Sequence, residues 1–166
     1  MINIDFYTNF EDEINIQKYN KFLEEYKEKI NKIIEKALEL NDINIRKVYL
    51  GIGIVSQDEI QKLNKEHREV DRATDVLSFP MFTEEEFKKL DDVYLDEEEL
   101  SIGDIVLCLD IIEKQAVEYG TGFNREMLYM ITHGICHLLG YDHIEESDKV
   151  KMRELEEKIL AKIGEI

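Results

Sequence analysis

Three of the four histidines in this 166-residue chain fall within eleven residues, His133-Gly134-Ile135-Cys136-His137-Leu138-Leu139-Gly140-Tyr141-Asp142-His143. No other segment constrains the fold as tightly. Just upstream, Met127, Leu128, Met130 and Ile131 recur at helical steps, which predicts a helix from Arg125 to Leu139, capped by Asn124 and stopped at Gly140. Four residues apart on that helix, His133 and His137 share one face, about one turn from each other. Once the helix ends at Gly140, the chain can turn back and carry His143 to the same place. The fold must therefore bury one side of this helix, leave the imidazoles accessible and hold a tight turn behind them.

The remaining elements supply the means. Residues 2–7 alternate apolar and polar and read as a strand with one buried face. From about 16 to 40, Tyr19, Phe22, Leu23, Tyr26, Ile30, Ile33, Ile34, Ala37 and Leu38 make an amphipathic helix, broken at Asn41-Asp42. Residues 45–55 read as a strand in which Gly51 and Gly53 share a side, marking a bulge or the close approach of another backbone. Ser56-Gln57-Asp58-Glu59 has the form of a capping box and starts a helix that runs to about Glu69. After the polar loop 71–75, residues 76–81 form a short strand, and Pro80 suits a strand end or an edge position. The apolar run 102–109 suits a strand buried on both faces. Asp110 is placed to cap a helix closed by Gly120. A last amphipathic helix spans about 146–163 through Val150, Met152, Leu155, Ile159 and Leu160.

Between Phe82 and Glu99 lie nine acidic residues against Lys88 and Lys89, a net of −7. This reads as an exposed loop, with a short helix around Phe87 and Leu90. The whole chain carries −17, which favours solubility and opposes non-specific adhesion to nucleic acid. A length of 166 residues suits one domain, and neither a repeat nor a linker divides it. The longest apolar runs fall far short of the ~18 residues that span a bilayer, and the first residues have neither a basic region nor an apolar signal core. Cys108 and Cys136 sit in apolar surroundings, as small buried hydrophobes do in a reducing cytoplasm.

The spacing His-x-x-x-His-x-x-Gly-x-x-His is that of the ligands in metzincin zinc proteases. His133, His137 and His143 are thus candidate ligands of one zinc-type ion. Three neutral imidazoles leave a coordination position open, the mark of a catalytic site, where an ion acidifies water or polarises a carbonyl or phosphoryl oxygen. Those proteases carry a general-base Glu immediately after the first His; here Gly134 stands there, so a peptidase of the usual kind lacks its base. Cys136 points about 100° away from His137 and reads as a core residue.

The histidine segment resembles the His-Gly-x-Leu-His-Leu-x-Gly-Tyr-Asp-His signature of the bacterial YbeY family of ribosomal RNA maturation factors. Two further blocks agree in order. Leu63-Asn64, Arg68, Asp71 and Thr74-Asp75-Val76-Leu77-Ser78-Phe79-Pro80 resemble the family's second motif, and Ile102-Gly103-Asp104-Ile105 resembles its Leu-Gly-Asp-Ile strand. The resemblance implies one α+β domain over 1–166, with a small mixed four-stranded sheet, about five to six helices and a metzincin-like metal-site helix. It implies a zinc ion held by His133, His137 and His143, with Arg68 and His133 acting in catalysis. Arg68 would bind phosphate or stabilise charge developing in the transition state. The implied activity is a cytoplasmic, single-strand-specific, metal-dependent endoribonuclease. It would act in ribosomal RNA maturation, at the 3′ end of the small-subunit 16S RNA, and in ribosome quality control. The implied partners are ribosomal RNA and the small subunit, with a ribosomal protein or an assembly GTPase as a further candidate; neither a membrane nor DNA is expected.

Three features depart from the family pattern. Cys136 replaces the usual Leu, His67 stands where an aromatic such as Tyr is common, and the acidic insertion at about 82–99 is long. Outside that insertion the chain still carries −10, so RNA contacts must be local, near Arg68, Arg72 and Arg125. Asp142, Asp75 and Asp104 are the candidates for moving the proton. Two other readings fit the histidines: a zinc hydrolase acting on another substrate, and a metal-stabilised ribosome-assembly factor with weak or no nuclease activity.

Overall fold

Alternation in Ile2-Asn3-Ile4-Asp5-Phe6 and the long three-four rhythm that follows it fold as a strand and a helix in the computed structural model, which describes residues 1–90 and 99–164. The elements in chain order are β1 (Ile2–Thr8), α1 (Glu13–Leu40), β2 (Val48–Ile54), α2 (Gln57–Arg68), β3 (Val76–Pro80), α3 (Glu84–Leu90), β4 (Leu100–Leu107), α4 (Leu109–Tyr119), α5 (Phe123–Leu138) and α6 (Glu146–Lys162). The four strands make one mixed sheet in the order β1-β2-β4-β3. β1, β2 and β4 are parallel, and β3 runs antiparallel along β4 as an edge, with Pro80 at its end. This is the expected α+β class.

α5 lies at the centre. It packs on β3 and β4 below and meets α1, α4 and α6 around it. α1 is one of the elements that cover it, and Ile30, Ile33 and Ala37 of that helix are completely buried. Each such isoleucine contributes about 1.5–3 kcal/mol of burial. α1 begins at Glu13, ahead of the expected start at about 16, because the Asp12 side chain accepts the N–H of Asn15 and caps it. β4 is buried on both faces, as its composition demands. Ile105 meets α5, while Val106 joins Val55, Ile60, Leu77 and Cys108 in a smaller cluster beneath α2.

Several local expectations are corrected. Half of the capping box forms: Ser56 Oγ accepts the Glu59 N–H, but the Ser56 N–H goes to Asn9 Oδ1 and not to Glu59. Neither Asp110 nor Asn124 is an N-cap. α4 starts after Cys108 and α5 after Gly122, whose φ of 83° sets the turn, so both polar residues lie inside their helices. Val150 is 54% exposed and lies off the buried stripe of α6. Gly51 and Gly53 mark no bulge and no neighbouring backbone. They receive the Tyr7 ring, and Asp104 at Gly51, while the bulge lies one strand away, at Ile102 of β4. In the acidic stretch 82–99, Phe87 and Leu90 do form a helix and bury it; residues 91–98 of that stretch lie outside the described residues.

Candidate metal centre

The two helix histidines come from the last two turns of α5. His133 and His137 meet edge to face with ring centroids 4.6 Å apart, and their Nε2 atoms are 3.2 Å apart. α5 then ends at Leu139, and Gly140 adopts φ 94°. This is left-handed backbone that a side chain disfavours. A Cβ at Gly140 would also come within 2.7 Å of the Glu84 Cα, because α3 begins directly against the turn. Behind the turn, Tyr141 N–H returns to Cys136 O at 3.1 Å, and the Tyr141 hydroxyl bonds Asn41 Oδ1 at the end of α1. Asp142 Oδ1 accepts the N–H groups of His143 and Ile144. The result is a rigid return that sets the His143 ring 4.9 Å from that of His137.

One nitrogen from each of His133, His137 and His143 lies within 4.8 Å of the others. A tetrahedral zinc–imidazole site, with bonds of about 2.0–2.1 Å, wants its nitrogens about 3.3–3.4 Å apart. The 3.2 Å pair meets this, and the three-imidazole donor set suits the same ion. The protonation of His137 can be read directly. Its Nδ1 lies 2.9 Å from Tyr141 O, a carbonyl that only accepts, so Nδ1 carries the proton and Nε2 carries the lone pair. Burial, followed by the neighbouring His133, lowers His137 to about 4, which keeps it neutral, the form able to ligate, at ordinary pH.

Arg68 ends α2, where Glu69 takes a left-handed φ of 59° and sends the chain back toward β3. Its Nη2 donates to Ser78 O on β3 at 2.8 Å. Ser78 in turn faces α5, its Oγ 3.5 Å from Gly134 O. This chain of contacts brings Arg68 to the histidines: a cavity of about 370 Å³ is lined by Arg68, Arg72, Asp75 and all three. A second, of about 430 Å³, shares Arg68, His137 and His143 and adds Pro80, Phe82 and Ile144.

Other candidates are sorted by the same geometry. Asp75 lines the first cavity, its Oδ1 accepting from Thr74 Oγ1 and Val76 N–H. Asp104 is not brought to the site. It lies across β4 from Ile105, beside Gly51 and Tyr7, where burial and then Asp5 raise its carboxyl. His67 is exposed and packs edge-on against Phe79, with centroids 5.1 Å apart. Arg125 is eight residues from His133, about 12 Å along the helix axis. Cys136 is fully buried, which pushes its thiol well up. Gly134 faces the sheet: a Cβ there would meet three Ile105 atoms at 3.1–3.2 Å.

One residue at the site escaped the sequence reading. Glu156 of α6 is 3% exposed, and its Oε1 lies 3.4 Å from His133 Nδ1. The signal was present, since Glu156 falls in the stripe Met152, Leu155, Ile159, Leu160, where a carboxylate is out of place.

A family model described as Endoribonuclease YbeY matches residues 12–164. Endoribonuclease YbeY proteins of Clostridium botulinum, strain 657 / Type Ba4 and strain Langeland / NCTC 10281 / Type F, are 43% identical over 155 residues, covering 88% of this chain and 93% of theirs. The solution structure of TM1509 from Thermotoga maritima is similar with a TM-score of 0.53 at 32% identity, over 98% of this chain and 91% of that one.

Proposed function

The chain belongs to the YbeY endoribonuclease family and is a metal-dependent endoribonuclease of ribosomal RNA maturation, and we propose that it works through zinc held by His133, His137 and His143 with Arg68 on the scissile phosphodiester. The observation that carries this arrangement is the single cavity shared by Arg68 and the three histidines. When bound, the ion supplies Lewis acidity toward phosphoryl oxygen and water. The chain's own residues do the rest. The guanidinium of Arg68, tethered by one nitrogen to Ser78 O, directs its remaining N–H donors at phosphate oxygens, where charge accumulates as a P–O bond breaks. His133 acts beside it, on the same cavity wall. Asp75 is the carboxylate that faces the same space and takes a proton from the water that attacks phosphorus, while the P–O bond to the departing oxygen breaks and that oxygen takes up a proton; Asp142 spends an oxygen on the turn.

Charge explains the choice of RNA. A chain of −17 gains no affinity from its overall field, and a duplex presents one phosphate charge per ≈ 1.7 Å of axis. A short single-stranded segment brings few phosphates and meets Arg68 and Arg72 locally. This favours a single-stranded substrate such as the 3′ end of 16S RNA, delivered in the cytoplasm on the small subunit by a ribosomal protein or an assembly GTPase. The test is cleavage of a single-stranded ribosomal RNA fragment by zinc-loaded protein. Arg68→Ala should lose about 100-fold or more in rate with its zinc content unchanged. Equal cleavage by wild type and Arg68→Ala would reject the assignment.

A further inference from the structure

We propose that Glu156 is a positioning residue of the metal centre: it accepts the Nδ1–H of His133 and thereby leaves the Nε2 of His133 free to ligate. The proposal rests on the reading of His133 as a ligand. Glu154 and Glu157 of the same helix are exposed, so α6 has ample room for carboxylates in solvent. Glu156 instead stands among Met152, Leu155, Ile159 and Leu160, and its Oε2 has no hydrogen-bond partner among the described residues. Burying a carboxylate in such a stripe costs stability unless a specific partner offsets it. Its close partners are His133 Nδ1 and the side chain of Tyr129 on α5, and of the two only the His133 ring faces the cavity lined by the three histidines.

The effect on the site follows from both helix histidines together. Tyr141 O holds the Nδ1 proton of His137, and Glu156 does the same for His133. With both Nδ1 atoms protonated, the two Nε2 atoms 3.2 Å apart each present a lone pair. That arrangement is no hydrogen bond; it is two donors to a shared cation. At 3.4 Å the Glu156 contact is long, so it selects a tautomer and a ring orientation more than it adds stability. Tyr129, one turn back on α5, lies nearly parallel to the His133 ring with centroids 6.3 Å apart and also engages Glu156. Partners of this kind orient a ligating His, and their loss typically weakens metal binding by about 10–100-fold.

Two measurements on the full-length protein test this. Long-range proton–nitrogen NMR of metal-free, ¹⁵N-labelled protein reads the tautomer of His133, identified by its absence in His133→Gln. The expected result is Nδ1–H in wild type and in Glu156→Gln, and a mixture in Glu156→Leu. Competition with a chromophoric chelator reads zinc affinity: Glu156→Leu should bind about 10–100-fold more weakly, with Glu156→Gln close to wild type. An Nε2–H tautomer in wild type overturns the proposal. So does a folded Glu156→Leu with unchanged tautomer and affinity, or a Glu156→Gln as weak as Glu156→Leu. Should Glu156→Leu fail to fold, the wild-type tautomer decides alone. Zinc bound equally by wild type and His137→Ala would instead overturn the ligand reading, which the metal-free tautomer does not depend on.

Discussion

Replacing Gly140 by Ala should damage stability and metal binding together. Two costs are visible. An L-residue at φ 94° gives up about 1–2 kcal/mol relative to an unstrained conformation. The new Cβ would also sit 2.7 Å from the Cα of Glu84, a backbone atom that cannot rotate away, so α3 or the turn must shift. Overpacking of this kind costs about 1–3 kcal/mol. Together the loss is about 2–5 kcal/mol, a large part of the about 5–15 kcal/mol that holds a domain folded. Urea denaturation of the metal-free protein should show the midpoint falling by about 1–2 M at an unchanged slope. Gly120→Ala is the control: φ is 65° there but nothing lies within 4 Å of the added Cβ, so only the conformational cost applies. Because the turn carries His143, zinc affinity should fall in Gly140→Ala and hold in Gly120→Ala. A Gly140→Ala midpoint equal to that of Gly120→Ala would refute the packing argument.

Three further outcomes follow from the site. His143→Ala should lose zinc on dialysis against a weak chelator while keeping its fold, as read by metal analysis and circular dichroism; retained zinc at one ion per chain would remove His143 from the ligand set. Asp75→Asn keeps an Oδ1 acceptor for Thr74 and Val76 but cannot take a proton, so RNA cleavage should fall by about 10²–10⁴-fold with melting unchanged; undiminished cleavage would release Asp75 from that role. His137, lowered from 6.5 to about 4, binds a proton in the unfolded chain before it does in the folded one. Its share of stability is therefore present above pH 6.5 and lost as pH falls toward 4, so metal-free His137→Gln should show a flatter loss over that window than wild type, and equal slopes would contradict it.

Much of the centre was legible because it is local. His133 and His137 are set by helical periodicity and His143 by a glycine stop, and none of these needs a distant contact. Arg68 could be placed only by resemblance. What brings it to the histidines is a turn at Glu69 and a bond to Ser78 O, and neither leaves a periodic trace. Glu156 was hidden for the opposite reason: in an acidic chain, one more Glu on a Lys- and Glu-rich helix looks like solvent-facing charge until the stripe position is noticed. Asp110 and Asn124 have the right chemistry for N-caps, but capping is decided by backbone angles at Cys108 and Gly122, which composition does not encode.

The contact between Gly134 and Ile105 bears on how this scaffold could change its trade. In zinc proteases with the same ligand spacing, the residue after the first His is the glutamate that handles the proton. Here that position opens onto β4, with isoleucine carbons already at the limit of contact for a single methyl group. A glutamate would need the sheet to retreat from the helix. A mutational route from nuclease to peptidase along this helix therefore has no single-step entrance; it would begin in the strand, with Ile105, before any catalytic group could be installed.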